Sequence, residues 1–211
     1  MNKLNSPATE SLKQFWDRCH ASSKPTDRWW LSNYSGPQIW DFLKIRHLIK
    51  PGIRVLTVGV GTGRGIHDLH DQGCECYALD ISELPMSKLT SILVDVYLAS
   101  KLDRIPSNHF DLIISHLVIQ HMLNSDFGEQ THHLVRSLKP GGTYAFQIAA
   151  RANGQCDRDV DISMEALKSG AVCRTPEYIA SFLPYKISLF NTIEHAEYKS
   201  RWHALHIKKG E

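Results

Sequence analysis

Between residues 54 and 150, short apolar runs alternate with stretches whose apolar positions recur every three to four residues. The runs are RVLTVG (54–59), CECYALD (74–80), LVDVYLA (93–99), FDLIIS (110–115) and TYAFQIAA (143–150). Each has strand length and is bounded by turn residues. Helical spacing fills the gaps. GRGIHDLHDQG predicts a short helix closed by Gly73, and SELPMSKLTSI a weak helix interrupted by Pro85. NSDFGEQTHHLVRSL repeats Phe127, Thr131, Leu134, Val135 and Leu138 at helical spacing and stops at KPGG (139–142). Strands that alternate with helices pair in parallel, because each return crosses over a face of the sheet.

The flanks read differently. Residues 8–20 predict a helix with Leu12, Phe15 and Trp16 on one side, followed by the aromatic loop KPTDRWWLSNYSGP. A second helix starts at Pro37, carries Ile39, Trp40, Leu43, Ile45 and Leu48, and ends at Pro51-Gly52. Past the fifth strand, 151–174 is polar and reads as irregular. TPEYIASFL (175–183) predicts a helix with Thr175 as its cap and Pro176 in its first turn. KISLFNTIEHAEY and SRWHALHIKK read as two strands joined by a turn near Glu197–Ser200, an antiparallel pair. The expected fold is α/β: a doubly wound, mostly parallel seven-stranded sheet with an antiparallel C-terminal strand pair and helices on both faces. Residues 1–50 form a helical cap continuous with a core at 51–211.

Composition narrows the partners. At 211 residues one domain with a sizeable core is expected. A net charge of +2 and no basic stripe argue against nucleic acid. No apolar run approaches the roughly 18 residues that span a bilayer, so no membrane partner is expected. MNKLNSPATESLKQFW has no signal-peptide core. Five cysteines at irregular spacings fit neither a disulfide framework nor a metal site. Cys74 and Cys76, two apart in a strand, read as small buried hydrophobes. Reduced thiols suit a cytoplasmic protein. Twelve histidines make the charge climb below neutral pH.

The chemistry begins at VLTVGVGTGRG (55–65). A strand that runs into glycines and then a helix presents free backbone N–H groups to a ligand, and glycine permits the turn and the close approach. Asp80 ends the next strand, 21 residues after Gly59, where a carboxylate can hold a ribose diol. Dinucleotides and S-adenosyl ligands share this arrangement. A dinucleotide fingerprint wants glycine at 59, 61 and 64, and position 64 is Arg. No Lys-Ser/Thr follows, against a phosphate loop.

VLTVGVGTGRG resembles the first motif of the class I S-adenosylmethionine-dependent methyltransferases. YALDIS (77–82) resembles their second-strand acidic motif, IPSNHFDLIISHLVIQHM (105–122) their fourth strand and following turn, and LVRSLKPGG (134–142) their junction into the fifth strand. The order and spacing match over about residues 40–150. The resemblance implies S-adenosyl-L-methionine as co-substrate. It places Gly59, Val60, Gly61, Thr62 and Gly63 along its methionine part, Asp80 on both ribose hydroxyls, and Ile81 on the adenine. Ser100, Lys101 and Leu102 would meet the adenine edge, and His116 would sit beside the sulfonium and the acceptor. Two positions depart from the family. Thr57 stands where Asp or Glu is usual, and Ala99 and Ser100 stand where the adenine loop often has Asp.

Methyl transfer is an in-line displacement, so the protein chiefly positions and desolvates the partners. A hydroxyl acceptor also needs a base, and histidine is the natural one. SHLVIQHM supplies three candidates: His116, Gln120 and His121. If a helical turn begins at 117, His116 and Gln120 share a face and His121 lies about 100° away. Each also has a structural alternative, a polar residue bonded to backbone. Arg151 either grips an anionic acceptor or lies at the surface. Trp29, Trp30 and Tyr34 either form a lid or pack the N-terminal helices. His132 and His133 read as a solvated edge, and His203 and His206 face opposite sides of a strand. No Asn-Pro-Pro-Tyr-like motif follows the fourth strand, against methylation of a base or amide nitrogen. A small hydroxylated molecule, a sugar or glycan precursor, is the expected acceptor. The alternatives are a non-catalytic S-adenosyl-binding scaffold and an NAD(P)-dependent oxidoreductase.

Overall fold

The computed structural model describes residues 7–22, 34–195 and 200–210. Its sheet holds β1 (Arg54–Val58), β2 (Glu75–Asp80), β3 (Leu93–Leu98), β4 (Phe110–Ser115), β5 (Leu138–Arg151), β6 (Ile187–His195) and β7 (Ser200–Lys208). Their order is β3-β2-β1-β4-β5-β7-β6. β1 to β5 pair in parallel, and β7 inserts antiparallel between β5 and β6. A dinucleotide fold extends its parallel sheet with a sixth parallel strand beside the fifth; the antiparallel β7 in that place sets the oxidoreductase reading aside.

Strand alternation divides the core in two. Val55, Cys76, Ala78, Leu112, Ile114 and Ala145 face one way. They meet α2 (Gly36–Leu43) through Trp40 and Leu43, α3 (Arg64–Asp71) through Ile66 and Leu69, and α4 (Glu83–Ser87) through Met86. Leu56, Val58, Leu79, Ile113, Tyr144 and Phe146 face the other way. They meet α5 (Asn124–Ser137) through Phe127 and Leu134, and α7 (Pro176–Phe182) through Ile179. Neighbours in one strand serve opposite layers because successive side chains leave a strand on opposite faces. Cys74 and Cys76 are both buried in the first layer, where burial pushes the Cys76 thiol up to about 12.

Three boundaries differ from the expectation. The helix that starts near Pro37 stops at Leu43, because Lys44 turns left-handed (φ 58°) and donates its N–H to the Trp40 and Asp41 carbonyls. A 3-10 turn, Arg46–Leu48, follows. β5 begins at Leu138 rather than 143, and at its outer end Gly141 N–H donates to the Lys209 carbonyl. The segment 151–174, expected to be irregular, contains α6 (Met164–Ser169). Ser163 caps it by accepting from Ala166 N–H, and Gly170 closes it at φ 71°. Leu167 of α6 is buried with Val172 and with Leu12 of α1 (Pro7–Ala21), so α1 and α6 pack together beyond the ends of the strands.

Arg174 fastens this segment to the body and is almost wholly buried. Its guanidinium donates to the Ile119 carbonyl (2.8 Å), the Met122 carbonyl and the Asn124 side chain. Asp157 and Asp159 supply compensating charge, yet burial still lowers its pKa to about 10.

Candidate functional site

At the C-terminal ends of β1, β2, β4 and β5 lies a cavity of about 1260 Å³. This is the crevice where the winding reverses between β1 and β4, the usual ligand position in such sheets. The sheet ends form its floor. α1 adds Thr9, Leu12, Trp16 and His20, and Gly170 and Ala171 stand beside α6.

The glycine loop opens the floor. Gly59 has φ 66°, and its N–H donates to the Leu79 carbonyl at 2.7 Å, which ties the loop to β2. A Cβ there would lie 2.3 Å from Val118 Cγ2, so Val118 occupies the space that glycine leaves. Gly59→Ala should therefore lower stability by about 2–4 kcal/mol through strain and overpacking. Urea unfolding checks this, and an unchanged midpoint would mean that Val118 moves aside freely. Gly59, Val60, Gly61 and Thr62 line the cavity. Gly63 does not: it caps α3 from below, at φ 82°, against Leu89.

Asp80 stands at the end of β2, buried on the cavity wall. Its carboxylate accepts from Ser82 N–H at 3.0 Å and from Gly61 N–H at 3.4 Å. Burial raises its pKa to about 6, and these backbone donors offset only part of the rise. Ile81 lines the cavity beside it. Ser82 donates its hydroxyl to Asp17, which joins α1 to this corner. Of the loop after β3, only Ala99 reaches the wall. Ser100, expected at the adenine edge, is exposed and outside the cavity, and Leu102, expected there too, is buried in the core. The cause is the irregular 3-10 segment Ala99–Arg104, which turns Leu102 inward.

The turn after β4 carries the catalytic candidates. Leu117 takes φ 60°, and its N–H donates to Gln147 Oε1 at 3.0 Å. A left-handed leucine is strained, and such strain persists where surroundings fix it. It throws His116 to one side and Gln120 with His121 to the other. His116 lies among Tyr34, Trp202 and Phe42, with ring centroids 5.7, 6.1 and 6.2 Å away. Gln120 is buried in the 3-10 turn Ile119–His121, and its Oε1 has no hydrogen-bond partner. His121 Nδ1 lies 2.7 Å from the Leu167 carbonyl, and its ring sits edge-on to Trp16 at 4.9 Å. Burial depresses its pKa to about 4. A general base works best with a pKa near the working pH, so these surroundings do not suit the base role expected of His121.

Arg151 lines the cavity but pairs with Asp157 at 2.6 Å. Thr57 also lines it, and its buried hydroxyl has no partner. Tyr34 is on the wall, while Trp29 and Trp30 lie outside the described residues. His203 pairs with Thr192 and His206 with the Leu43 carbonyl, on opposite faces of β7. Sequence reasoning missed Trp202 on β7, Asp126 and Gln130 on α5, and the α1 residues of the wall. Asp126 and Gln130 were visible as a polar pair, four apart, beside the apolar stripe of α5.

Residues 56–146 match the family profile described as a methyltransferase domain. The malonyl-[acyl-carrier protein] O-methyltransferase of Enterobacter lignolyticus is 34% identical over 100 residues. That match covers 46% of this chain and only 39% of that protein. Among solved structures, the 1,6-didemethyltoxoflavin-N1-methyltransferase of Burkholderia thailandensis, bound to its substrate and S-adenosylhomocysteine, superposes with a TM-score of 0.68. It is 15% identical, over 99% of this chain and 92% of that one. The N-methyltransferase NodS of Bradyrhizobium japonicum, with S-adenosylhomocysteine, gives 0.65 at 15% identity, over 94% and 98%. Phosphoethanolamine N-methyltransferase 2 of Haemonchus contortus, with S-adenosyl-L-methionine, gives 0.65 at 15% identity, over 99% of this chain but 59% of that one. At such identities the solved structures speak for the fold. Family profile, motif order and sheet topology agree on a methyltransferase-domain match over residues 56–146 and on the fold of the class I methyltransferases.

Proposed function

We propose that the protein methylates a hydroxyl of a small molecule, with a sugar or glycan precursor as the acceptor class. Asp80 carries the reading. A buried carboxylate that keeps acceptor capacity toward a cavity, beside a glycine loop, fits a ribose diol. The partnerless Thr57 hydroxyl on the same wall suits an ammonium group as a neutral acceptor.

Bound S-adenosylmethionine supplies a methyl group on a positively charged sulfur. The chain's own residues do the rest. The loop from Gly59 to Thr62 offers backbone donors, and Ile81 offers an apolar face. His116, walled by Tyr34 and Trp202, receives the acceptor's hydroxyl proton. Asp157 already neutralises Arg151, which favours an uncharged acceptor over an anion. The helices at 7–21 and 36–43 act as a cap on the 51–211 core, and free thiols support a cytoplasmic location.

Calorimetric titration with S-adenosylmethionine, S-adenosylhomocysteine and NADH tests the site. Heat from the first two and none from NADH is expected; silence from both S-adenosyl compounds would sink the reading. Release of S-adenosylhomocysteine against matched hydroxyl and amine panels then tests the acceptor.

The pKa of Asp80 gives a pH dependence. The folded group ionises above about pH 6, and only the carboxylate accepts from both ribose hydroxyls. Affinity for S-adenosylhomocysteine should hold above neutrality and be about tenfold weaker at pH 5. His20 and His121, both depressed to about 4, stay neutral over that interval. Asp80→Asn should flatten the profile. A flat profile in the unaltered protein would remove Asp80 from the contact.

A further inference from the structure

β5 ends beside the start of β7 on the cavity wall, and their register gathers four side chains into one patch there. Ala149 pairs with Trp202 and Arg151 with Ser200 across the antiparallel ladder, and all four line the cavity. Partners in a ladder project from the same face, and so do residues two apart in a strand. The patch is therefore about 5 Å across and about 7 Å along the strands, the footprint of one six-membered ring.

Its two ends differ in chemistry. At one end the small Ala149 side chain leaves room beside the Trp202 indole. The centre of that indole lies 6.1 Å from the His116 ring and 6.0 Å from the Tyr34 ring, so this end is aromatic and adjoins the proposed base. The other end forms hydrogen bonds. Asp157 takes only Nη1 of Arg151, at 2.6 Å, and a guanidinium carries five N–H donors. Ser200 adds a hydroxyl that both donates and accepts.

A flat aromatic ring would cover Trp202 but leave the donors of Arg151 and Ser200 out of water and unmet, which is costly. A carboxylate or phosphate would compete with Asp157 for a charge that is already matched. A pyranose serves both ends: its C–H face suits an indole, and its hydroxyls suit the polar pair.

We propose that Ala149, Trp202, Arg151 and Ser200 form the acceptor subsite and that it takes one uncharged pyranose ring. The C–H face lies on Ala149 and Trp202, oxygens at the far end meet Arg151 and Ser200, and a hydroxyl at the near end points to His116. Trp202 then selects the ring and Ser200 its hydroxyl pattern. The assignment rests on the hydroxyl-methylation reading above.

The test is saturation-transfer NMR on the protein loaded with S-adenosylhomocysteine. The probes are the methyl pyranosides of glucose, galactose, mannose and rhamnose, with catechol and cyclohexanol as rings that lack the hydroxyl array. At least one pyranoside should receive saturation, and the two control rings should not displace it. Trp202→Ala should weaken the bound pyranoside about tenfold. Ser200→Ala, a smaller change that covers a failure of the first variant to fold, should weaken it about fivefold. Calorimetry with S-adenosylhomocysteine should give both variants an affinity within about twofold of the parent, which separates loss of the subsite from loss of the fold. If no pyranoside binds, if catechol or cyclohexanol binds in preference, or if both variants keep the full affinity, the patch is not a sugar subsite. If S-adenosylhomocysteine itself gives no heat with the unaltered protein, the S-adenosyl reading fails first.

Discussion

Asp80→Ala is expected to weaken S-adenosylhomocysteine binding by about a hundredfold, the loss of two hydrogen bonds to a charged acceptor. The same change should leave the fold at least as stable at neutral pH. Burial raises the folded pKa of Asp80 to about 6, above the unfolded value of 3.8. The contribution of such a group is fully present below pH 4 and is lost as pH rises through 6. At pH 7 the buried carboxylate therefore costs the fold on the order of 3 kcal/mol relative to acid. Alanine removes that cost along with two backbone hydrogen bonds, to Gly61 and Ser82. Affinity from calorimetry and the urea midpoint should move in different directions, or only affinity should move. A variant that binds normally, or that loses affinity only because it unfolds, would contradict the role.

Arg174→Met is expected to cost stability, about 3–5 kcal/mol. Methionine fills much of the volume but strands the Ile119 and Met122 carbonyls and the Asn124 side chain, while Asp157 and Asp159 lose a buried cation. Arg174→Lys should recover only part, since one ammonium cannot span three acceptors in fork geometry. Urea unfolding reads the loss. Because Arg174 holds the turn that carries Gln120, the folded fraction of the Met variant should also bind S-adenosylhomocysteine more weakly. A midpoint unchanged from the parent would show that the guanidinium is replaceable.

The sheet was legible because its period is unambiguous. FDLIIS gave the bounds of β4 as observed, and the KISLF and SRWHALHIKK runs gave an antiparallel pair. Their insertion order, with β7 inside β6, depends on packing across the sheet and was not read from the sequence. α6 went unread although Ser163 and Gly170 mark both its ends. Six residues with three apolar positions, Met164, Ala166 and Leu167, carry too little periodicity, and the helix exists because Leu12 and Val172 cover Leu167. The position of the glycine loop and Asp80 on the cavity wall was readable because backbone chemistry dictates it. The outward Ser100 and the buried Leu102 were not foreseeable, because the direction of a side chain in an irregular 3-10 segment follows no period. His121 was offered as a base because sequence does not show burial. Trp202 was silent because its role needs β7 beside β5.

The roof contributed by α1 has a thermodynamic consequence. α1 is held by the Asp17–Ser82 and Thr9–Asp126 contacts and by Leu12, yet four of its side chains face the cavity. A ligand that fills the cavity touches the sheet ends and this helix together. The docking of α1 and the occupancy of the cavity are then two linked equilibria, each strengthening the other by the same factor. Any bound ligand should lower the rate at which the α1 amides exchange with solvent, and the residues that hold α1 down belong to the affinity of the site as much as Asp80 does.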